Sequence, residues 1–384
     1  MTPLEILREL VTIPSASNLS NLPLLDWVTG FLEPRGWRCH RFPYTDDAGV
    51  AKSNLIACPV SSGRPSDPPD AVPDRIGLAF VCHTDTVPPA VGWHDPYTLH
   101  TQENSAYGLG SCDVKAALAC FLAAIQDQHS FSQSPQPDSS LALILTADEE
   151  IGCKGMDRLL AVRPDLRMER ALISEPTSLR PAIAGKGYAL ARVTLRGREA
   201  HSAFPREGVS AIAAAADIIL RIHALQPATT HPLFDPPATT FNIGVITGGT
   251  AKNILPGECS FLLEWRAVPG ELPGSVAATL RQLVHDAAQQ MPGVSVHFDL
   301  QRDEPGFDRA PSTPLADQLT ALLCRQPTGI SFGSEATRVA RIAGEIVVVG
   351  PGDMHTAHSD RECVPIAELD EWMQTLRALF RAGF

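Results

Sequence analysis

The apolar run LALILT, residues 141–146, leads through Ala147 straight into Asp148, Glu149 and Glu150. A continuous apolar hexamer belongs in a sheet covered on both faces. Three consecutive carboxylates do not belong there uncompensated, because burial disfavours the ionised form and neighbouring like charges add to the cost. The pattern recurs: GLAFVC precedes His83 and Asp85, and RALIS precedes Glu175. DVKAALACFLAAIQ (113–126) reads as a long helix, buried on most sides and opened by Asp113. Strands alternating with helices point to an α/β sheet with much parallel pairing. In such sheets ligands bind beyond the carboxyl ends of the strands, so the residues following these strands converge on one place.

Upstream, a helix is expected near 3–10 and a second over 21–36, with Asn21 as its cap and Gly36 as its stop. KSNLIACPV (52–60) reads as a strand, and the proline-rich stretches 61–74 and 130–140 as surface loops. Residues 186–301 differ. Alternating strand GYALARVTLRG, helix GVSAIAAAADIILRIHAL, strands TTFNIGVITGG and GECSFLLEWRAV, helix PGSVAATLRQLVHDAAQQ and strand GVSVHFDLQ follow in turn. The order β-α-β-β-α-β is ferredoxin-like, and the alternation leaves one sheet face wet or against a partner. The α/β pattern resumes with TPLADQLTALLCRQ and EIVVVGPG. The expected organisation is one α/β domain, 1–179 and 302–384, interrupted by an α+β domain, 180–301.

A net charge of −12 argues against nucleic acid or an anionic membrane as partner. The amphipathic N-terminus lacks a signal-peptide pattern, and no apolar run approaches the ~20 residues of a membrane span. Nine scattered cysteines without a CxxC imply reduced thiols in a cytoplasmic protein, and no thiolate zinc site.

The chemistry-bearing residues at the strand ends are His83, Asp85, Asp113, Glu149, Glu150 and Glu175, joined by His358 in GPGDMHTAHSDRE. His355, three residues earlier, is the competing imidazole. Clustered carboxylates repel, and a pair of divalent cations removes the repulsion by using them as ligands. Imidazole with carboxylate suits zinc, cobalt or manganese. One carboxylate must then bridge the pair, while another stays off the metals to move a proton.

The motifs HTDTVP (83–88), GLGSCDVK (108–115), DEEIG (148–152), SEPT (174–177), REAHSAFP (198–205), GGTAKNILP (248–256) and GSEA (333–336) stand in the order found in a known family. The chain resembles, over nearly its whole length, the dinuclear zinc amidohydrolases that include acetylornithine deacetylase, succinyl-diaminopimelate desuccinylase, aminoacylase and glutamate carboxypeptidase. Its wording is most similar to the acetylornithine deacetylases. The resemblance implies a zinc-aminopeptidase-like catalytic domain with an inserted ferredoxin-like lid and dimerisation domain. It implies two divalent metal ions, zinc or alternatively cobalt, one held by His83, Asp113 and Glu175. The other would be held by Asp113, Glu150 and His358. Asp85 would orient His83 by accepting its free ring N–H, and Glu149 would be general base and then acid. His201 would donate to the oxyanion across a homodimer interface. Asn253, Arg266, Gly333 and Ser334 would hold the substrate carboxylate. The expected partner is a small N-acyl amino acid, and the expected reaction is hydrolysis of N2-acetyl-L-ornithine to L-ornithine and acetate. The alternatives are deacetylation of acetylcitrulline, desuccinylation of succinyl-diaminopimelate, a broader amidohydrolase, or an inactive acyl-amino-acid-binding relative. Leu109, Ala116 and Arg361 depart from the family's usual Arg, Gly and Asp. The roles of Asp148 and Glu335 stay open.

Overall fold

The computed structural model of the chain describes residues 1–60, 72–126, 141–272, 274–309 and 312–382. The loop expectations at 61–74 and 130–140 therefore lie outside the described residues, apart from 72–74. The first segment carries α1 (Pro3–Val11), α2 (Leu22–Leu32), β1 (Trp37–Thr45), β2 (Ala51–Pro59), β3 (Arg75–His83), the short β4 (His100–Gln102) and β5 (Ser105–Tyr107), α3 (Lys115–Ala124), β6 (Leu141–Thr146), α4 (Lys154–Val162) and β7 (Arg167–Ile173). After β8 (Ala182–Gly185) come β9 (Tyr188–Arg196), α5 (Ala211–His223), β10 (Thr240–Gly248), β11 (Glu258–Arg266), α6 (Ser275–Gln289), β12 (Ser295–Glu304) and β13 (Phe307–Asp308). The chain closes with α7 (Pro314–Leu323), β14 (Thr328–Ile330), α8 (Ala336–Val339), β15 (Ala343–Val348), β16 (Cys363–Pro365) and α9 (Ile366–Ala382).

These elements form two units. One comprises 1–183, 309–328 and 334–384; the other comprises 184–308 and 329–333. The expected crossings were 179/180 and 301/302. Both fall later, the second because β12 continues the second unit's sheet through Glu304, pairing it with Tyr188.

In the first unit the strand order is β1-β2-β6-β3-β7-β15, with β8 beside β15. β6, β3, β7 and β15 pair in parallel, while β1 and β2 add an antiparallel edge. Every residue of β6 is buried, and so is all of β3 after Arg75, as the unbroken apolar runs require. All ten residues of α3 are buried as well. Its Phe121 ring lies 4.7 Å from Phe80 of β3 and 5.8 Å from Phe380 of α9, so the helix is wedged between sheet and α9. Each such fully buried side chain contributes roughly 1.5–3 kcal/mol. Lys115, the first residue of α3, is buried too and donates to the carbonyls of Leu10 and Ile13 at the end of α1. Burial pushes its ammonium down to about 7, against the opposing charge of Glu362.

Two local expectations fail for tertiary reasons. Asn21 does not cap α2 with its side chain. Its amide donates instead to the Ser53 carbonyl and the Thr84 hydroxyl, both at 2.9 Å, and accepts the Ser53 N–H, tying α2 to β2 and to the end of β3. Gly36, at φ 77°, does end the helical run, after a 3-10 turn over Glu33–Arg35. The expected helix at 113–126 begins only at Lys115, which leaves Asp113 in the preceding turn.

The second unit is a four-stranded antiparallel sheet in the order β10-β11-β9-β12. Ala189, Ala191, Val193 and Leu195 of β9 alternate onto one face, where they bury with Phe261, Leu263 and Trp265 of β11 and the apolar stripes of α5 and α6. The element order is the ferredoxin-like one.

Candidate functional site

Register builds the site. His83 at the end of β3 pairs with Thr146 at the end of β6, and Val81 pairs with Ile173 at the end of β7. The three strands finish side by side, so Asp85, Asp148–Glu150 and Glu175 emerge at one edge of the sheet. β15 runs parallel to β7, and the segment following it carries His358 to the same edge.

Asp113 is the hub. Its Oδ1 lies 3.1 Å from His83 Nε2 and its Oδ2 lies 3.1 Å from His358 Nε2. Glu150 Oε1 is 3.1 Å from the same His358 nitrogen. His83, Asp113 and Glu175 offer ligand atoms within 4.8 Å of one another, and so do Asp113, Glu150 and His358. One carboxylate thus belongs to both trios, one oxygen turned to each histidine. The turn bearing Asp113 is held from behind, where Glu362 accepts the N–H groups of Cys112 and Asp113 at 3.0 and 3.1 Å. Cys112 itself points away, its thiol toward the Asp353 carbonyl. His355 has a largely exposed side chain and pairs with Asp353 at 2.7 Å, so His358 is the imidazole at the site.

The electrostatics show how crowded the cluster is. Burial, reinforced by Glu150, Glu335 and Asp85 against the pull of His83, holds the Glu149 carboxyl up at about 8. Burial, with Asp113, Glu149 and Glu150, holds Glu175 well above the usual carboxyl range. Burial also raises Asp113, but the hydrogen bonds from His358 and His83 outweigh it and leave that carboxyl lowered. The His358 ring is lifted to about 10 by its bonds to Asp113 and Glu150. Without a cation the cluster keeps protons to limit its negative charge. Two divalent cations do the same work, and a donor set of imidazoles and carboxylates without a thiolate fits them.

Asp85 departs from its expected geometry. The His83 Nδ1 partner is the main-chain oxygen of Asp85, at 2.9 Å, while the nearer carboxylate oxygen is 3.7 Å away. That carboxylate accepts the N–H groups of Glu149 (3.0 Å) and Glu150 (3.2 Å) and the Ser17 hydroxyl (2.8 Å). Asp85 therefore sets the ring through its backbone and the two glutamates through its side chain.

Asp148 finds its compensation away from the site, in Lys52 and in the Tyr44 hydroxyl at 2.8 Å. Its φ of 59° turns the chain between strand and acids, so Glu149 and Glu150 need not follow the strand's alternation. Glu149 accepts the Cys153 thiol at 3.3 Å and belongs to neither trio. Glu335 is buried. One oxygen accepts the Thr146 hydroxyl and the other has no hydrogen-bond partner among the described residues. Sequence reasoning missed Lys52, Tyr44, Ser17 and Cys153. A lone lysine or serine in a strand or loop carries no signal of which buried acid it meets.

The remaining expected residues lie in the second unit, apart from Ser334. His201 is exposed, its Nδ1 accepting the Ala203 N–H, and its backbone bridges to Ile254 beside Asn253. Arg266 ends β11, and a Cβ built on Gly333 would lie 3.9 Å from its Nη1. The Ser334 hydroxyl is buried and accepts the Ala336 N–H at the start of α8. Lys186 spans a loop, donating to the carbonyls of Pro236 and Ala238.

Residues 183–292 match the peptidase dimerisation domain family. Acetylornithine deacetylase from Myxococcus xanthus is 36% identical over 367 residues, covering 94% of this chain and 92% of its own. A tripeptidase from Staphylococcus aureus superposes with a TM-score of 0.76 at 20% identity, covering 99% of this chain and 97% of its own. A dinuclear metal binding peptidase of the M20 family from Bacillus subtilis gives 0.68 at 14% identity, covering 99% and 97%. The chain belongs to the acetylornithine deacetylase family, and is a metal-binding hydrolase of amide bonds whose dimerisation domain is inserted in its catalytic domain.

Proposed function

We propose that the protein hydrolyses N2-acetyl-L-ornithine to L-ornithine and acetate. The observation that carries the reading is the shared Asp113 carboxylate between two histidines, with Glu149 beside them and outside both trios. His83, Asp113 and Glu175 would hold one zinc ion, or cobalt, and Asp113, Glu150 and His358 the other. When bound, the two cations polarise the acyl carbonyl and acidify a water.

The chain's own residues do the rest. Glu149 belongs to neither trio, which leaves its carboxylate free to transfer a proton. It takes a proton from the attacking water and returns it to the amine nitrogen as the C–N bond breaks. The Asp85 carboxylate, bonded to the N–H groups of Glu149 and Glu150, keeps these neighbours in their separate tasks. His201, donated in trans by the second copy of a homodimer, steadies the charge that grows on the carbonyl oxygen. Arg266, with Asn253, Gly333 and Ser334, holds the α-carboxylate through a bidentate fork. Free thiols and the absence, among the described residues, of a helix able to cross a membrane support a cytoplasmic setting for this biosynthetic step.

A substrate panel tests the proposal. Metal-loaded protein is expected to release acetate from acetylornithine faster than from acetylcitrulline, and to leave succinyl-diaminopimelate largely intact. No acetate from acetylornithine, with good turnover of another acyl amino acid, would sink it.

A further inference from the structure

Tyr188 opens β9, and its side chain lies on the sheet face opposite the one that buries Ala189, Ala191, Val193 and Leu195. Two arginines reach its ring from the two flanking strands. The Arg266 guanidinium of β11 sits 4.3 Å from the ring centroid, and that of Arg302 on β12 sits 4.7 Å from it. Two cations on one ring repel. Each is balanced by a glutamate two residues away on its own strand, Glu264 on Arg266 Nε at 2.9 Å and Glu304 on Arg302 Nε at 2.6 Å. The glutamates therefore occupy the Nε positions. The Nη groups of Arg266 make no bond among the described residues, and the bare backbone of Gly333 lies beside one of them.

We infer that Tyr188 and Arg302 are positioning residues for Arg266, and that this Arg–Tyr–Arg stack is a preset receptor for the carboxylate of the substrate. The inference rests on the assignment of the α-carboxylate to Arg266 and adds what holds that arginine. A guanidinium binds a carboxylate best through two parallel N–H bonds in one plane. Stacking on Tyr188 and the Nε bond to Glu264 fix that plane before substrate arrives, so less side-chain freedom is lost on binding. Arg302 packs on the same ring from the other neighbouring strand and keeps the ring from swinging away.

The test is steady-state kinetics on the full-length, metal-loaded enzyme with acetylornithine, for wild type, Tyr188→Leu, Tyr188→Phe, Arg302→Gln and Arg266→Ala. Metal content and the unfolding midpoint are measured alongside. Tyr188→Leu is expected to raise KM about tenfold with kcat little changed, the signature of lost binding rather than lost chemistry. Tyr188→Phe, which keeps the ring, brings KM back to near the wild-type value. Arg302→Gln raises KM by about threefold, in keeping with a cation–π contact. N-acetyl-1,4-diaminobutane, the same substrate without its carboxylate, is turned over alike by wild type and Tyr188→Leu. An equal loss on that analogue would mark a structural effect and overturn the inference. If Arg266→Ala raises KM while Tyr188→Leu and Arg302→Gln do not, the inference falls and the carboxylate assignment stands. If Arg266→Ala leaves KM unchanged, both fall. Should acetylornithine not be a substrate, the same comparison is made on the best N-acyl amino acid of the panel.

Discussion

The Lys52 ammonium is paired with the Asp148 carboxylate inside the protein, each side chain only 1% exposed. Lys52 also donates to the Ser17 carbonyl, and Asp46 lies 3.3 Å from it at the outer side. Ser17 in turn bonds Asp85, and Asp85 bonds the backbone of Glu149 and Glu150. The first of the three consecutive acids is thus an anchor, while the backbone of the next two is held by Asp85. Removing one partner of a buried pair leaves an uncompensated charge, at a cost of about 3–5 kcal/mol. Lys52→Met is expected to destabilise the protein by about that much in urea denaturation, with Lys52→Met/Asp148→Asn recovering part of the loss. A single variant as stable as wild type would contradict the anchoring role.

Glu149 lies outside both trios, so loss of this proposed general base should separate chemistry from metal binding. Glu149→Ala should lower kcat by about 10²–10⁴-fold, the usual worth of a general acid–base. Elemental analysis should still find both metals. Parallel loss of metal would reassign Glu149 as a ligand.

Asp113 is common to both trios, whereas Glu175 belongs to one. After dialysis against buffered zinc, Asp113→Ala is expected to retain close to no metal and Glu175→Ala to retain one of the two. Equal retention by the two variants would show that Asp113 does not bridge.

Metal-free protein should lose stability as pH rises from 4.5 to about 8. The Glu149 carboxyl is raised from 4.5 to about 8 in the fold. Between those values the native state holds a proton that the unfolded chain has released, so unfolding gains as protons become scarce. One such group contributes a slope of about 1.4 kcal/mol per pH unit. Glu149→Gln cannot titrate, and its denaturation midpoint should fall less steeply across this window. A residual slope in the same direction remains from Glu175, which burial and neighbouring acids also raise. An unchanged slope in Glu149→Gln would place that proton elsewhere.

Much of the scaffold was legible because its signals are local. LALILT and GLAFVC are too apolar, and too short for helices, to be anything but doubly covered strands, and β6 and β3 are such strands. The alternation in YALARVTLR set the buried face of β9 residue by residue. The strand at Trp37–Thr45 went unseen, because WRCHRFPYT mixes arginines, a histidine and a proline with its aromatics, and sheet-edge pairing with β2 decides its state. Asn21 looked like a helix cap because its type favours one, but β2 and the end of β3 offered its amide three better-placed partners.

By itself, the sequence determined which residues could bear the chemistry: carboxylates and imidazoles directly after buried strands, in an α/β order that sends those strand ends to one edge. Only the tertiary structure decided which partner each acid meets. Asp148, Glu149 and Glu150 are equivalent as letters. They differ because Lys52 and Tyr44 reach the first, Cys153 the second and His358 the third. Those partners come from β2, β1, the turn before α4 and the loop after β15, and only the packing of the fold brings them within hydrogen-bonding range.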